Sequence, residues 1–227
     1  YGCGTFESCE HNPKWRMFNF EEYFTEDHYD FLTIGCSVSY GSEIKKSETW
    51  RSHLQNSIDL SVPGIGIDAI WHNLKFIASQ DRVKFKKIIV LLPDIMRKTF
   101  RVYKEGTCFN FISTVHDENN PNPNFAFDPR QTEKLIKYHR RYLVLKGERY
   151  GARVLSKFID WLNNNGQENI YVSSWNDLVF DALVKKVSNK DLVLPKFDYD
   201  HANDKSIKHP SPDAHKKWFK SISEKIA

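Results

Sequence analysis

Residues 29–37 have the sequence YDFLTIGCS, and the interpretation of the whole chain begins with this stretch. Its first six residues form a short apolar run that favours a β-strand, and the run stops at Gly35. Glycine and serine directly after a strand are typical of a tight turn. The stretch therefore predicts a strand followed by a turn that carries Ser37.

Further apolar runs predict strands of the same kind. Residues 87–92 (KIIVLL) form a continuous β-branched and leucine run, as expected for a strand covered on both faces of a parallel sheet. Residues 170–174 predict the next strand, and shorter extended segments are predicted at 59–62 and 191–194. A buried, mostly parallel sheet accounts for all of these runs.

Helical patterns lie between the strands. Apolar residues recur at helical spacing over 47–58, 67–78, 177–187 and from 128 to about 164. Ser211-Pro212-Asp213 predicts the start of a last amphipathic helix, because serine caps a helix and proline suits its first position. Residues 106–127 include the string NNPNPN and predict a long irregular surface loop.

This alternation predicts an α/β fold, a three-layer α/β/α sandwich around a mostly parallel central sheet. Residues 30–227 are expected to form one domain, onto which residues 1–29 pack as an N-terminal extension. Sheets of this type bind ligands at the carboxyl ends of their strands. Candidate functional residues are therefore sought at those ends.

Composition excludes several classes of protein. The net charge is +4 with a pI near 8.7, and the lysines are spread along the chain, which argues against nucleic-acid binding. No apolar run approaches the roughly 20 residues of a membrane span. Cys3 and Cys9 are close enough in sequence to pair, and with His11 they would still lack the fourth ligand of a structural metal site. No metal is predicted.

Three segments follow strands or precede the last helix, and together they could supply a nucleophilic serine and its partners. They are the Ser37 turn, Gly64 after the second strand, and residues 204–209. A serine must be activated by a base, which a third group orients. Backbone N–H groups of the Ser37 turn and of Gly64, which has no side chain in the way, could bind a developing oxyanion.

These segments resemble the SGNH/GDSL hydrolase superfamily of esterases and lipases, from about Phe31 to the end of the sequence. Ser37 matches the family serine, Gly64 its oxyanion-hole glycine, and His209 its catalytic histidine. The string HPSPDAH at 209–215 and SSW at 173–175 are particularly similar to SGNH proteins encoded by bacteriophages. The resemblance implies a flavodoxin-like SGNH fold.

The resemblance also implies a serine esterase acting on small carboxylic esters, especially O-acetyl groups on carbohydrate, with no metal or organic cofactor. Ser37 would attack, His209 would move the proton, and Asp204, with Asp200 in reserve, would orient the histidine. Ser37 and Gly64 would form the oxyanion hole, with Arg97 as a weak third donor. A phage-encoded member would act on a host surface glycan, either secreted or associated with virion proteins.

The sequence departs from the family pattern at three places. Cys36 stands where the family has aspartate, Asp94 lies in the turn where the family has asparagine, and Ser206 lies three residues before His209 where the family has its acid. The missing asparagine and the displaced acid favour an alternative, a non-catalytic structural or glycan-binding protein that keeps the fold. His215 is the second candidate base, although its spacing to Trp218 favours a packing role. A nucleotide-binding protein is disfavoured because the first turn has no glycine-rich phosphate loop.

Overall fold

The computed structural model describes residues 24–62, 65–104, 107–113, 148–165, 168–199 and 209–227. The strands are β1 (His28–Gly35), β2 (Ser57–Asp59), β3 (Lys84–Leu92), β4 (Lys98–Lys104), β5 (Thr107–Ser113) and β6 (Ile170–Ser174). The helices are α1 (Ser37–Tyr40), α2 (Ile67–Ala78), α3 (148–164), α4 (Asp177–Lys186) and α5 (Pro212–Ile226). Short 3-10 turns lie at Lys46–Glu48, Trp50–His53 and Lys190–Leu192.

Four parallel strands form the central sheet in the order β2-β1-β3-β6. The segment after Lys190–Leu192 continues it at the edge, since the Leu194 N–H donates to Val172 O at 2.9 Å and the Phe197 N–H to Ser174 O at 3.1 Å. Counted in chain order, with the separate β4–β5 hairpin left out, this is the 2-1-3-4-5 order of flavodoxin-like folds.

Helices and turns cover both faces of this sheet. The chain moves one way from β1 to β2 and the opposite way from β2 to β3, so right-handed crossovers place the intervening segments on opposite faces. On one face Trp50 packs edge-on against Trp218 of α5, with ring centroids 4.9 Å apart. Elsewhere Asn163 of α3 donates to the Lys186 carbonyl of α4 at 2.9 Å. The predicted α/β fold is confirmed.

The strand β3 forms the centre of the core. Residues 88–92 are buried, as are Leu32 and Ile34 of β1, which lies alongside it with Ile34 paired to Val90. A run without polar alternation suits a strand covered on both faces. Between the neighbouring strands β1 and β3, the strand order reverses direction across the sheet. This reversal opens a crevice at their carboxyl ends, the usual ligand position in such sheets.

The predicted helix over 47–58 is wrong. The chain instead forms two 3-10 turns and then enters β2, where Ile58 pairs with Leu32 of β1. Asn56 has φ of 43°, a left-handed conformation that no α-helix accommodates. The apolar spacing of Trp50, Leu54 and Ile58 therefore reflects burial in different elements.

The predicted strand at 59–62 begins and ends earlier than expected, because β2 spans Ser57–Asp59. The chain nevertheless stays extended beside β1, since the Leu60 N–H donates to Thr33 O at 2.8 Å and the Val62 N–H to Gly35 O at 2.9 Å. The segment after β2 is thus brought to the level of the Ser37 turn.

The predicted irregular loop at 106–127 is wrong for its first part, since β5 pairs antiparallel with β4 over its whole length. Residues 114–127 of that prediction lie outside the described residues, as do residues 128–147 of the predicted long helix. The helix is confirmed over 148–164. The structure thus contains a hairpin between β3 and α3 that the composition of this region obscures.

Other predicted elements agree closely with the structure. Helix α2 has the predicted bounds, β6 matches residues 170–174, and α5 begins at Pro212 with Ser211 Oγ accepting the Ala214 N–H at 3.2 Å. The last part of the predicted extension, from Phe24, packs edge-on against Tyr29 and Phe85. Residues 1–23, with Cys3, Cys9 and His11, lie outside the described part.

No helix among the described residues is both long and apolar enough to cross a membrane.

Candidate active site

The turn that carries Ser37 is tight because glycine precedes it. A Cβ on Gly35 would lie 2.6 Å from Ser39 Cβ and 2.7 Å from Leu91 O, so no larger residue fits between β1 and α1 without a shift. Ser37 is the first residue of α1 and is 5% exposed. The sequence-predicted nucleophile therefore lies at the carboxyl end of β1, beside the β1–β3 crevice.

The chain after α1 folds back onto the serine. Gly41 ends the helix with φ of 74°, and the N–H groups of Gly41 and Ser42 both donate to Ser37 O at 3.0 Å. Glu43, the next residue, has φ of 71°, which is unusual for a residue with a side chain. Such backbone conformations cluster at functional sites. Here the conformation is found in an acidic residue six positions after Ser37.

Glu43 contacts the predicted base. Its Oε2 lies 3.1 Å from Nδ1 of His209, at ion-pair distance although the ring is not aligned for a hydrogen bond. The His209 side chain is 23% exposed and the Glu43 side chain 42%. A carboxylate at Nδ1 leaves Nε2 as the nitrogen that could accept a proton, as the logic of serine triads requires.

Sequence reasoning missed Glu43, since it looked for the acid just before His209. Asp204 and Asp200, the predicted orienting acids, lie outside the described residues. No local pattern predicts the left-handed conformation of Glu43, so the only available signal was an acidic residue shortly after the serine. The structure therefore adds a candidate acid from the opposite end of the sequence.

Glu43, six residues after Ser37, contacts His209, but no hydrogen bond joins the Ser37 hydroxyl to the His209 ring within the described ranges. Catalytic hydrogen bonds are often long without substrate and tighten on binding. Gly64 lies outside the described residues. Its described neighbours are Val62, hydrogen bonded to Gly35, and Ile65, whose N–H donates to Val62 O at 3.2 Å.

A second histidine and a cysteine near the turn have structural roles. His215 is fully buried in α5, where its Nδ1 accepts the Trp50 N–H at 3.4 Å and its ring packs edge-on against Phe197. Cys36 is also fully buried, and its Sγ accepts the indole N–H of Trp175 at 3.4 Å. Cys36 is thus a small residue in a tight turn, packed under one side of the site.

A polar network lies behind the serine turn. Asp59 Oδ1 accepts from Thr33 Oγ1 at 2.8 Å and from the Ser61 N–H at 3.0 Å, while Oδ2 forms an ion pair with Arg51. Ser61 Oγ in turn donates to Ser39 Oγ of α1 at 2.8 Å. Burial raises the pKa of the Asp59 carboxyl, with Arg51 the largest opposing influence. The network ties α1 to the segment that follows β2.

The turn after β3 supplies Arg97, the predicted third oxyanion donor. Asp94, which stands where an asparagine was expected, accepts the Met96 N–H at 2.7 Å and the Asn176 side-chain amide at 2.8 Å. The Arg97 guanidinium carbon lies 5.5 Å from the centroid of the Trp175 ring. Both carboxylate oxygens of Asp94 therefore fix the turn, and Arg97 is the residue of this turn with a charged donor group beside Trp175.

Tyr199 completes this side of the site. Its ring lies 5.7 Å from that of Trp175. Burial raises the pKa of the Tyr199 phenol, Cys36 and Glu43 add to the increase, and Arg97 acts in the opposite direction. The pKa of the phenol therefore depends on both Arg97 and Glu43, and the phenol stays protonated at neutral pH.

No protein-family model and no curated protein matches this sequence. One solved structure that the chain resembles is the crystal structure of TesA, with a TM-score of 0.40 and 10% sequence identity over 86% of this chain and 97% of that chain. A likeness this distant carries no information about activity. What the site can do depends on the side chains described above.

Proposed function

We propose that the protein is a serine esterase that hydrolyses small carboxylic esters, with O-acetyl groups on carbohydrate as the preferred class. One observation carries the proposal: Glu43, six residues after a serine in a tight turn at the crevice of a parallel sheet, has its Oε2 3.1 Å from Nδ1 of His209. Nucleophile, base and orienting acid are the three parts that serine acyl transfer requires.

The reaction has two halves. Ser37 Oγ attacks the ester carbonyl while His209 Nε2 takes the hydroxyl proton, and the same proton then goes to the departing alcohol. This step forms an acyl-serine and releases the alcohol. Water, deprotonated by His209, next attacks the acyl group, and Ser37 regains its proton as the carboxylic acid leaves. Glu43 is the described acid at Nδ1, and Asp204 is the sequence-predicted alternative.

The oxyanion formed in each half needs hydrogen-bond donors. The proposal assigns this role to the backbone N–H groups of Ser37 and Gly64. Losing one such donor costs about 100- to 1,000-fold in rate. Val62 supports the position of the second segment, because its N–H binds Gly35 O at 2.9 Å beside the serine turn.

The direct test is turnover of p-nitrophenyl acetate and of a peracetylated monosaccharide by the wild-type protein, Ser37→Ala and His209→Ala. Ser47→Ala and His53→Ala are matched controls, because both residues are exposed and lie outside the candidate site. Circular dichroism would show that each variant is folded. We expect activity in the wild type and both controls and none above background in the two site variants.

Labelling by a fluorophosphonate separates this proposal from its rival. An esterase should be labelled at Ser37, and the label should disappear in Ser37→Ala but persist in Ser47→Ala. A protein that is inert to esters of several acyl lengths and is not labelled would be the non-catalytic structural or glycan-binding alternative. Activity that survives in Ser37→Ala would overturn the assignment of the nucleophile.

A further inference from the structure

We infer that Arg97 binds a carboxylate on the substrate, so that the site selects acyl esters of acidic sugars over those of neutral sugars. The inference rests on the proposed esterase function and names a substrate class for it. It also gives Arg97 a role different from that of an oxyanion donor. The two roles predict different kinetics, which makes them separable.

The backbone at Arg97 is fixed close to the crevice. A Cβ on Gly66 would lie 2.7 Å from Arg97 O, so the residue before α2 packs directly against this turn. The Arg97 N–H also donates to Asp94 O at 3.2 Å. Arg97 is therefore held between the segment after β2 and the end of β3, at the carboxyl edge of the sheet, where folds of this type bind their ligands.

Two successive contacts link the Arg97 side chain to the serine turn. Its guanidinium carbon lies 5.5 Å from the Trp175 ring centroid, and the Trp175 indole N–H contacts Cys36 Sγ at 3.4 Å. Cys36 directly precedes Ser37. One aromatic ring thus separates the arginine from the residue next to the nucleophile, a span that a monosaccharide carrying an ester can bridge.

The charge of Arg97 has no anion to balance it in the described part of the chain. Its Nη1 is buried without a hydrogen-bond acceptor, and no ion pair of Arg97 is formed there. Asp94, the nearest acid in sequence, uses its carboxylate on Met96 and Asn176 instead. Arg51, by contrast, forms an ion pair with Asp59 and donates to Tyr40 O.

Burying a guanidinium nitrogen without an acceptor costs free energy, because the nitrogen loses its hydrogen bonds to water and gains none within the protein. A ligand that supplies the acceptor recovers that cost. Among anions, a carboxylate matches the planar fork of guanidinium donors with two parallel hydrogen bonds. Trp175 and Tyr199 provide adjacent aromatic surface for a sugar ring.

The test compares two acetylated methyl glycosides that differ only at one carbon, a galacturonic acid and a galactose. Acetate release is measured for the wild type, Arg97→Gln and Arg97→Lys, with Arg149→Gln as control because Arg149 is exposed on α3. We expect the wild type to prefer the acidic substrate about 10- to 100-fold in kcat/KM, the worth of hydrogen bonds to a charged group.

Arg97→Gln should abolish this preference by raising KM for the acidic substrate far more than KM for the neutral substrate. Arg97→Lys should keep part of it, because the charge remains while the fork is lost. Equal losses of kcat on both substrates would overturn the inference in favour of an oxyanion or purely structural role. A wild type without preference would overturn it as well.

A binding measurement keeps this inference separate from the esterase proposal. The Ser37→Ala protein is titrated with methyl galacturonoside and methyl galactoside by calorimetry, with and without Arg97→Gln. Tighter binding of the acidic sugar that disappears with Arg97→Gln supports the anion subsite even if no ester is hydrolysed. Equal affinities for the two sugars overturn the subsite, whatever the esterase assay shows.

Discussion

Glu43 Oε2 lies 3.1 Å from His209 Nδ1, and the two residues come from opposite ends of the sequence. If Glu43 orients the imidazole, Glu43→Gln should lower kcat by about 100- to 10,000-fold with little change in KM, because the charged acid stabilises the imidazolium formed in the transition state. Steady-state kinetics on p-nitrophenyl acetate measure this. Glu48→Gln is the control, since within the described residues the Glu48 carboxylate accepts only the Lys45 N–H, at the start of a 3-10 turn.

The same assay on Asp204→Asn decides between the two candidate acids. An unchanged kcat in Glu43→Gln together with a collapse in Asp204→Asn would assign the orienting role to the acid that sequence reasoning chose.

The Arg51–Asp59 pair should support the stability of the serine turn. Arg51→Leu leaves the Asp59 carboxylate without its cation, and we expect a loss of about 3 kcal/mol in the free energy of unfolding, measured by urea denaturation. Adding Asp59→Asn should recover much of the loss. If the single and double variants are equally unstable, lost packing of the arginine rather than the unpaired charge is the cause.

The unfolding free energy of Arg51→Leu should also depend on pH. Burial already raises the pKa of Asp59 above that of an unfolded carboxyl, and removing Arg51 removes the largest opposing influence. The folded state then holds the proton more tightly than the unfolded state, so stability should fall as pH rises through the interval between the two pKa values. Denaturation of Arg51→Leu at several pH values should show the loss, which Asp59→Asn should remove.

Gly35→Ala tests the tightness of the serine turn. The added methyl would lie 2.6 Å from Ser39 Cβ and 2.7 Å from the carbonyl oxygen of Leu91, so β1 and α1 must separate. We expect a loss of about 2 kcal/mol in unfolding free energy and a disproportionate fall in kcat, since the nucleophile moves with α1. A variant with wild-type stability and kcat would show that the turn is less constrained than its contacts indicate.

Tyr150 gives a titration that can be followed directly. Burial raises its pKa to about 12, and the charge of Asp68 and a hydrogen bond to Asp68 add to the increase. Absorbance of the phenolate should include a late transition that is absent in Tyr150→Phe and shifted to lower pH in Asp68→Asn. Because the folded pKa exceeds the ordinary value of 10.0, this group's contribution to stability should decline as pH rises from about 10 to 12.

The strands and helices with strong local signals were predictable. The run at 88–92 has no polar alternation, and β3 is indeed covered on both faces. Ser211 caps α5 as its position before proline predicts. These predictions succeed because the local preference of the residues and their burial in the fold agree.

Some sequence-based predictions failed because contacts between distant segments decide the structure. Ile58 has helical spacing from Trp50 and Leu54, yet its pairing with Leu32 in the sheet decides its conformation. The β4–β5 hairpin did carry a signal, since only Glu105-Gly106 separates its strands and glycine favours such a connection. The contact of Glu43 with His209 depends on a left-handed residue and on the whole fold, which no local pattern encodes.

The position of Ser37 near one end of the sequence and of His209 near the other has a consequence for biosynthesis. While the chain emerges from the ribosome, β1 and the serine turn are available early, but His209 follows only after β6, and the Trp218 helix that packs against Trp50 comes later still. A chain that stopped before residue 209 would hold Ser37 without the base that we propose for it. On the proposed mechanism, reactivity would therefore appear only after the segment that carries His209 has been made and has docked.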